Sequence, residues 1–546
     1  MPTTASTKRL VLVAAILGTT VVTIDSTVVN VALPAIENDL GGGLAGQQWT
    51  SNAYLLTLSS LLLVAGSLGD LFGARRMFAL GVSGFGVTSV FCALAPTVEL
   101  LVVARALQGV FGALLTPAAL AVIVATFPPD ERGRAVGAWT AWGGIGTVLG
   151  PLIGGQLVDT ASWRWIFAIN VPIVLVTLFL VLRVVPEGRR RAADAKVDVI
   201  GATLCALGLG GITYGLIEQP LHGWGDPMVS VPLVAGAALF IAFVFWEARS
   251  PHPMLPLSLF RRRNFAVGNI ETFSMYAGLG LLFFFLVLFL QQVAGYTALE
   301  AGTTTIPVTL VMFVLSGRFG ALADRHGPRF FMGVGPLLAA AGLAFFLRLD
   351  AEVDYLTDML PGLVIFSVGL ALTVAPLTAT VLADADEHNA GIASGVNNAI
   401  ARVASLIAIA AVGAVVASAF GSALRDELGA TTRRPEVARA MGEAEKQPLA
   451  RVVVRDVPLQ VRAEVAQGSR DASVKAFHVA MAIATALVGL GGVLGLVGIV
   501  NPRRTVDAAD CAGGQLAGAT GEGARHSPCD WQRQAEGSRE PASSPA

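Results

Sequence analysis

Charge is scarce in this chain. Only 14% of its 546 residues are Asp, Glu, Lys or Arg, against roughly a quarter in soluble domains. So little charge over such a length excludes an ordinary water-soluble globule. The net charge of -1 singles out no oppositely charged partner. No basic patch interleaved with aromatics is present, which argues against nucleic-acid binding. Cysteine is scarce too. Cys92, Cys205, Cys511 and Cys529 have no metal-ligand spacing, and the first two lie in apolar segments where small packing residues are common. There is no nucleotide loop, metal cluster or catalytic Ser/His/Asp arrangement. The expectation is therefore a chain that is not an enzyme and needs no cofactor.

What is abundant is apolar sequence. Hydrophobic residues make up 54%, and the mean hydropathy is +0.68. Long apolar runs read as spanning helices, because a helix satisfies its own backbone in lipid. Fourteen are expected, at about 10–35, 49–69, 77–97, 99–126, 135–158, 164–184, 197–217, 229–248, 265–291, 301–322, 330–347, 359–383, 392–420 and 475–500. Each can cross a hydrocarbon core of roughly 30 Å. The first is too long for a cleaved signal, holds Asp25 and lacks a clear small-residue cleavage site.

Basic residues alternate between loops. Lys8 and Arg9, Arg75 and Arg76, Arg132 and Arg134, Arg189 to Arg191 with Lys196, Arg261 to Arg263, Arg325 and Arg329, and Arg503 and Arg504 share one side. The short loops opposite hold little beyond Arg164 and Arg348. The positive-inside rule then puts both termini in the cytoplasm, which needs an even number of helices. Arg greatly outnumbers Lys, and Ala, Gly and Val abound, which reads as the coding bias of a GC-rich bacterium. The bacterial cytoplasmic membrane is the expected location, with lipid as neighbour and a monomer as the expected state.

One element occurs twice. Gly66-Ser-Leu-Gly-Asp70-Leu-Phe-Gly73-Ala-Arg75 returns as Gly320-Ala-Leu-Ala-Asp324-Arg-His-Gly327-Pro-Arg329, offset by 254 residues. That offset spans eight helices rather than six, so two helices are inserted between duplicated six-helix bundles. The expected architecture is an all-α integral membrane protein with pseudo-two-fold symmetry. It comprises an N-terminal six-helix bundle (1–190), an inserted helix pair with linkers (191–260), a C-terminal six-helix bundle (261–505) and a disordered cytoplasmic tail (506–546). A long polar outer loop at about 421–474 is expected to hold short amphipathic helices near 437–444 and 457–465.

Three more elements accompany the repeat. The first helix reads Asp25-Ser-Thr-Val-Val-Asn30-Val-Ala-Leu-Pro34. The fourth reads Arg105-Ala-Leu-Gln108-Gly109-Val-Phe-Gly112, and the fifth Gly146-Thr-Val-Leu-Gly150-Pro151-Leu-Ile-Gly154-Gly155. With Trp163-Arg-Trp-Ile-Phe-Ala-Ile-Asn170-Val-Pro172, they resemble the fourteen-helix drug:proton antiporters of the major facilitator superfamily. The resemblance covers about residues 10 to 420. The second loop departs from the usual form at Pro328, where a basic residue is common. The resemblance implies two six-helix bundles that alternate access, a lipophilic small-molecule substrate and the proton gradient as energy source. It also implies a latch between bundles at Asp70 and Asp324, and a leak-preventing seal at Gly150, Pro151, Gly154 and Gly155.

The residues themselves support a parallel reading. Gly73 and Gly327 allow tight turns, and Asp70 can pair with Arg75 or Arg76 or simply fix a turn. Glycines on the fifth helix permit close helix approach, and Pro151 interrupts its hydrogen-bond ladder. Charges within spans cost several kcal/mol unless paired or hydrated, so Asp25, Arg105, Glu271 and Arg402 are candidates for proton coupling or the substrate cavity. Asp25 lies roughly 22 Å along its helix, Arg105 roughly 9 Å from the outer end of its own and Glu271 roughly 10 Å from the start of the ninth. Asp25 and Arg105 are thus at similar depth, and a pair between them is open; a structural pairing role is the alternative for each charge. A carboxylate in a low-dielectric site can load and release protons near neutral pH, and a neighbouring arginine would drive the release.

Helical spacing puts Arg105, Gln108, Gly109 and Gly112 on one face. Glu271, Ser274, Met275 and Gly278 share another, as do Asn398, Arg402 and Ser405. Such stripes line either a cavity or a helix contact. Thr23, Ser26, Thr27 and Asn30 form a stripe from which Asp25 points away. Phe283, Phe284, Phe285 and Phe289 form an aromatic wall for flat substrates, or pack, or face lipid.

The function expected is proton-coupled efflux of lipophilic drugs or antibiotics. The alternatives are a dedicated exporter of a self-made antibiotic or siderophore, and a non-transporting membrane sensor or scaffold.

Overall fold

A computed structural model describes residues 5–186, 198–251, 253–383, 390–428 and 459–501, with isolated positions between 441 and 449. The described chain is built from long helices. They are α1 (Ala5–Leu40), α2 (Gly43–Phe72), α3 (Ala74–Leu94), α4 (Val98–Thr126), α5 (Pro129–Thr160), α6 (Trp165–Val184), α7 (Val199–His222) and α8 (Pro227–Arg249). They continue with α9 (Arg263–Gln292), α10 (Ile306–His326, preceded by a short helix Ala298–Thr303), α11 (Pro328–Phe345), α12 (Leu360–Ala383), α13 (Ala390–Leu428) and α14 (Leu459–Gly498). Among the described residues, twelve helical stretches are long and apolar enough to cross a membrane. At the two other expected positions stand α2 and α5, of 30 and 32 residues.

Local chemistry marks several starts. Thr97 caps α4, Asp198 caps α7 and Asp226 caps α8, each side chain accepting from a backbone N–H of the first turn. Thr297 and Glu300 form a reciprocal capping box on the short helix before α10. The segment expected near 457–465 enters the start of α14, which begins well before the expected 475. The segment near 437–444 lies almost wholly outside the described residues, as do most of the outer loop and the tail from 506.

The duplicated loops have the same backbone. Gly73 has φ 93° and ψ 135°, and Gly327 has φ 88° and ψ 149°. Both lie where a side chain is strained, so glycine permits the helix to end and restart within one residue. Arg75 Nη2 donates to the carbonyl of Leu182 near the end of α6, at 2.5 Å. Arg329 Nε donates to that of Leu496 near the end of α14, at 2.6 Å. Each loop therefore ties the second and third helices of its bundle to the sixth.

Call the end where α1 begins the near end and the end where it finishes the far end. The far half is one apolar core shared by both bundles. Val28, Leu33, Phe167, Phe285, Phe289, Leu343 and Phe477 all belong to it and are buried. In the near half the core divides. Val11, Phe78, Phe85 and Ile123 belong to an N-terminal cluster, and Phe265, Met332, Val381 and Val396 to a C-terminal one. The bundles are thus packed together at the far end and have separate cores at the near end.

Helices α7 and α8, at the positions expected for the inserted pair, pack on each other, and α7 packs on both α2 and α13. Trp49 Nε1 donates to Glu218 at 2.9 Å. Cys205 and Leu209 join Leu56 of α2 and Val403 and Ile407 of α13 in one cluster. Cys205 therefore packs rather than binds. The pair covers one seam between the bundles.

Candidate functional site

Asp25 is fully buried in the N-terminal bundle and is met by three donors. Arg105 Nη1 reaches Oδ2 at 2.5 Å, while Gln108 Nε2 and Asn170 Nδ2 reach Oδ1 at 2.9 and 3.1 Å. Arg105 is itself held: Nε donates to the Thr50 carbonyl at 3.1 Å and Nη1 to Gln108 Oε1 at 2.7 Å. Its guanidinium lies 4.3 Å from the centre of the Tyr54 ring. Ser89 completes the network by accepting from Gln108 at 2.9 Å. Five helices, α1, α2, α3, α4 and α6, converge here. Packing brings them close: Cβ atoms on Gly109 and Gly112 would run into Tyr54 and Leu58 of α2. Burying a lone charge would cost several kcal/mol; pairing and multiple donors offset that cost.

The other face of α1 does a different job. Thr20 and Thr23 face Gly146 of α5, Thr27 and the Ile24 carbonyl face Gly150, and Val28 faces Gly154. The threonine stripe is a helix contact, and Asp25 is turned away from it toward α4 and α6.

The C-terminal bundle carries its charges differently. Glu271 is fully buried, and neither carboxylate oxygen has a hydrogen-bond partner among the described residues. Its stripe lies on α14. A Cβ on Gly495 would sit 2.9 Å from Glu271 Oε2, Gly491 abuts Ser274, and Gly278 abuts Val488. The stripe is therefore a helix contact too. Arg402, near the middle of α13, is half-buried, and its Nε has no partner among the described residues. Asn398 on the same face is exposed, and Ser405 donates to the Tyr276 carbonyl of α9 at 2.9 Å. Phe284, Phe285 and Phe289 are buried in the far core, with Phe289 stacked on Phe477 at 4.2 Å; they pack and form no exposed wall.

At the far end, α5 meets the C-terminal bundle almost backbone to backbone. A Cβ on Gly155 would sit 2.5 Å from Leu299 Cα, and one on Gly302 would sit 2.6 Å from the Pro151 carbonyl oxygen. Asp159, a turn further on, accepts from the N–H groups of Ala298 and Leu299 at 3.0 and 2.8 Å. Gln291 donates to the Val31 carbonyl at 2.9 Å, and Gln48 to that of Ile409 at 2.5 Å. These bonds between the bundles all lie on the far side of Asp25 or at the middle of α13.

At the near end, Gly66, Gly73, Gly320 and Gly327 flank the repeated loops. A Cβ on Gly66 or Gly73 would meet nothing. Asp324 is exposed and makes no hydrogen bond or ion pair among the described residues. The side chain of Asp70 lies outside the described residues.

Two residues of this arrangement escape sequence reasoning. Asn170 stands at the head of an apolar run, a signal that it faces something polar. Asp159 has no such signal; only the fold shows that it caps a helix of the other bundle.

The chain resembles known proteins in sequence and fold. A family model for the Major Facilitator Superfamily matches residues 15–409. The tetracenomycin C resistance and export protein of Streptomyces glaucescens is 36% identical over 420 residues, covering 76% of this chain and 77% of that protein. The puromycin resistance protein pur8 of Streptomyces alboniger is 37% identical over 413 residues, covering 74% and 81%. The multidrug resistance protein Stp of Mycobacterium tuberculosis is 34% identical over 423 residues, covering 77% and 78%. Among solved structures, a bacterial homologue of the human lysosomal transporter Spinster aligns with TM-score 0.59 and 20% identity over 91% of this chain and all of that one. The xylose transporter XylE from E. coli aligns with TM-score 0.55 and 14% identity, covering 91% and 98%. The duplicated bundles, the repeated loops and these matches together make this chain a multi-pass membrane protein of the Major Facilitator Superfamily.

Proposed function

We propose that the chain exports lipophilic antibiotics or drugs across the bacterial cytoplasmic membrane in exchange for protons. The near end carries the basic loops, so it is cytoplasmic under the positive-inside rule. On that assignment the end where the two bundles have separate cores faces the cytoplasm, which supports loading of cargo from that side. Trp142, Ile145 and Leu149 of α5 are exposed at helical spacing. The relatives are antibiotic and multidrug resistance and export proteins, which supports outward transport.

The observation that carries proton coupling is the Asp25 network. Its carboxylate sits at the level where the shared far core begins, and its charge is answered by Arg105. When the far half opens, a proton from outside reaches Asp25 and neutralises it. Arg105 then loses its counter-charge, and the contacts among α1, α4 and α6 are reset. Return to the cytoplasm-open state restores the ion pair and releases the proton inward. Asp25 thus senses the gradient, while the Gly155–Leu299 contact and Asp159 keep the two sides from being open together.

Proton-driven uptake of puromycin and tetracenomycin C into inside-out vesicles tests this. Asp25→Asn should abolish gradient-driven uptake while counterflow exchange of the same compounds continues. Undiminished uptake would remove Asp25 from the coupling step.

A second reading has its own support. Among the relatives are a probable actinorhodin transporter of Streptomyces coelicolor and a cephamycin export protein of Amycolatopsis lactamdurans. A dedicated exporter of a self-made antibiotic would protect a host against one compound class, whereas a multidrug exporter would protect against many.

A further inference from the structure

The inserted pair holds a carboxyl group that the proposed transport cycle does not use. Glu247, close to the near end of α8, is only 2% exposed. One of its oxygens is engaged: Oε2 accepts from the Leu255 N–H at 2.9 Å. The other, Oε1, is buried and has no hydrogen-bond partner among the described residues. It lies against a second carboxyl. A Cβ on Gly201 would sit 2.5 Å from Glu247 Oε1 and 2.8 Å from Asp198 Oδ2, so both oxygens flank one point in the first turn of α7. Glycine at 201 leaves room for that approach.

The two carboxyls are not equivalent. Asp198 accepts from the Gly201 N–H at 2.7 Å and from Trp246 Nε1, which lies 2.9 Å from each of its oxygens. Such donors suit a carboxylate. Glu247 Oε1 faces no donor among the described residues, and the titratable groups around Glu247 there are Asp198 and Cys205. Two adjacent carboxylates repel; one proton between them turns the repulsion into a hydrogen bond.

We infer that Glu247 and Asp198 form a proton-binding site at the near end of the inserted pair, with the proton on Glu247 Oε1 and donated to Asp198 Oδ2. The site is separate from the Asp25 network and lies outside both six-helix bundles. It also fastens a linker. Leu255, held by Glu247 Oε2, belongs to the segment between α8 and α9. With Met254 it packs in the cluster that contains Cys205 of α7 and Val403 of α13. Loss of the proton sets a second negative charge beside Asp198, pushes the end of α8 from the start of α7 and loosens that linker.

Infrared spectra of the full chain in nanodiscs test this, because a protonated carboxyl has its own C=O stretch. A Glu271→Gln background removes the other unpartnered carboxyl from the spectrum. At neutral pH that protein should show a carboxylic C=O band which is lost on Glu247→Gln. Asp198→Asn should lose the same band, since its amide N–H then donates to Glu247 and no proton is needed. A cysteine placed by Met254→Cys reads the linker. Its rate of maleimide labelling, corrected for thiol ionisation, should rise with pH and stay flat when Glu247→Gln is added. If Glu247→Gln is not recovered, Asp198→Asn and its effect on the labelling carry the test. A band that survives either substitution would overturn the assignment. So would a band seen only after sodium is replaced by choline, because a metal cation would then be the occupant.

Discussion

The two bundles descend from one pattern but treat buried charge in opposite ways. In the N-terminal bundle Asp25 and Arg105 are paired, and both Asp25 oxygens accept side-chain hydrogen bonds. In the C-terminal bundle, among the described residues, Glu271 has no partner for either oxygen, and Arg402 has none for its Nε. The first arrangement is assembled before anything binds. The second leaves bonding capacity unused, as a site must if a proton or a ligand is to fill it. The two loops match in their glycines and carbonyl-bound arginines, while the interiors differ.

This contrast can be broken most severely at Arg105. Arg105→Ala should destabilise the protein by about 3–5 kcal/mol, because Asp25 stays buried without its cation; thermal unfolding in detergent would show it. The double variant Asp25→Asn with Arg105→Gln should recover much of that stability but no gradient-driven transport. Recovery of transport would mean that the network only holds the fold.

Gly155→Leu should come next. Its side chain would collide with the Leu299 backbone, so the far end could not close. A cysteine introduced at Ala298 should become open to a membrane-impermeant maleimide from outside, and transport should fall at least about tenfold, a change of only 1.4 kcal/mol. Asp159→Ala removes two charge-assisted hydrogen bonds at the same contact, each worth about 1.5–3 kcal/mol at most. The same label should report a smaller shift toward the outward-open form.

The mildest change is expected at Glu271. Glu271→Gln replaces an unpartnered carboxyl with an amide of the same shape, so unfolding stability should move by less than about 1 kcal/mol. The matched change at Asp25 should cost clearly more. If the two cost the same, the bundles do not differ in the way described. If transport by Glu271→Gln falls while stability holds, the C-terminal carboxyl takes part in the proton cycle as well.

Much of the fold is legible in the sequence because hydropathy and the repeat act over long stretches. Helix positions follow from them, while some limits do not: α14 begins at Leu459, well before the expected 475. Part of the site is legible too: depth alone puts Asp25 level with Arg105, and spacing puts Gln108 beside it. What escapes reading is which helix each face meets. The Glu271 stripe reads as either a cavity lining or a helix contact until α14 is seen to supply glycines against it. Phe283, Phe284, Phe285 and Phe289 read as a wall for flat substrates, as packing or as a lipid face until Phe284, Phe285 and Phe289 are seen enclosed by the far core. Asp159 looks like an ordinary exposed terminus until the other bundle's short helix starts on top of it. Each depends on neighbours distant in the chain, which periodicity cannot identify.

The inserted pair has a consequence for traffic through the bilayer. A two-bundle transporter has two lateral seams through which an oily solute could slip from the inner leaflet. Here α7 lies along the seam of α2 and α13, touching both. The molecule resembles a book with its spine bound on that side. Under the proposed function, solutes dissolved in the lipid are expected to enter along the opposite seam, between α5 and α10, which neither α7 nor α8 covers.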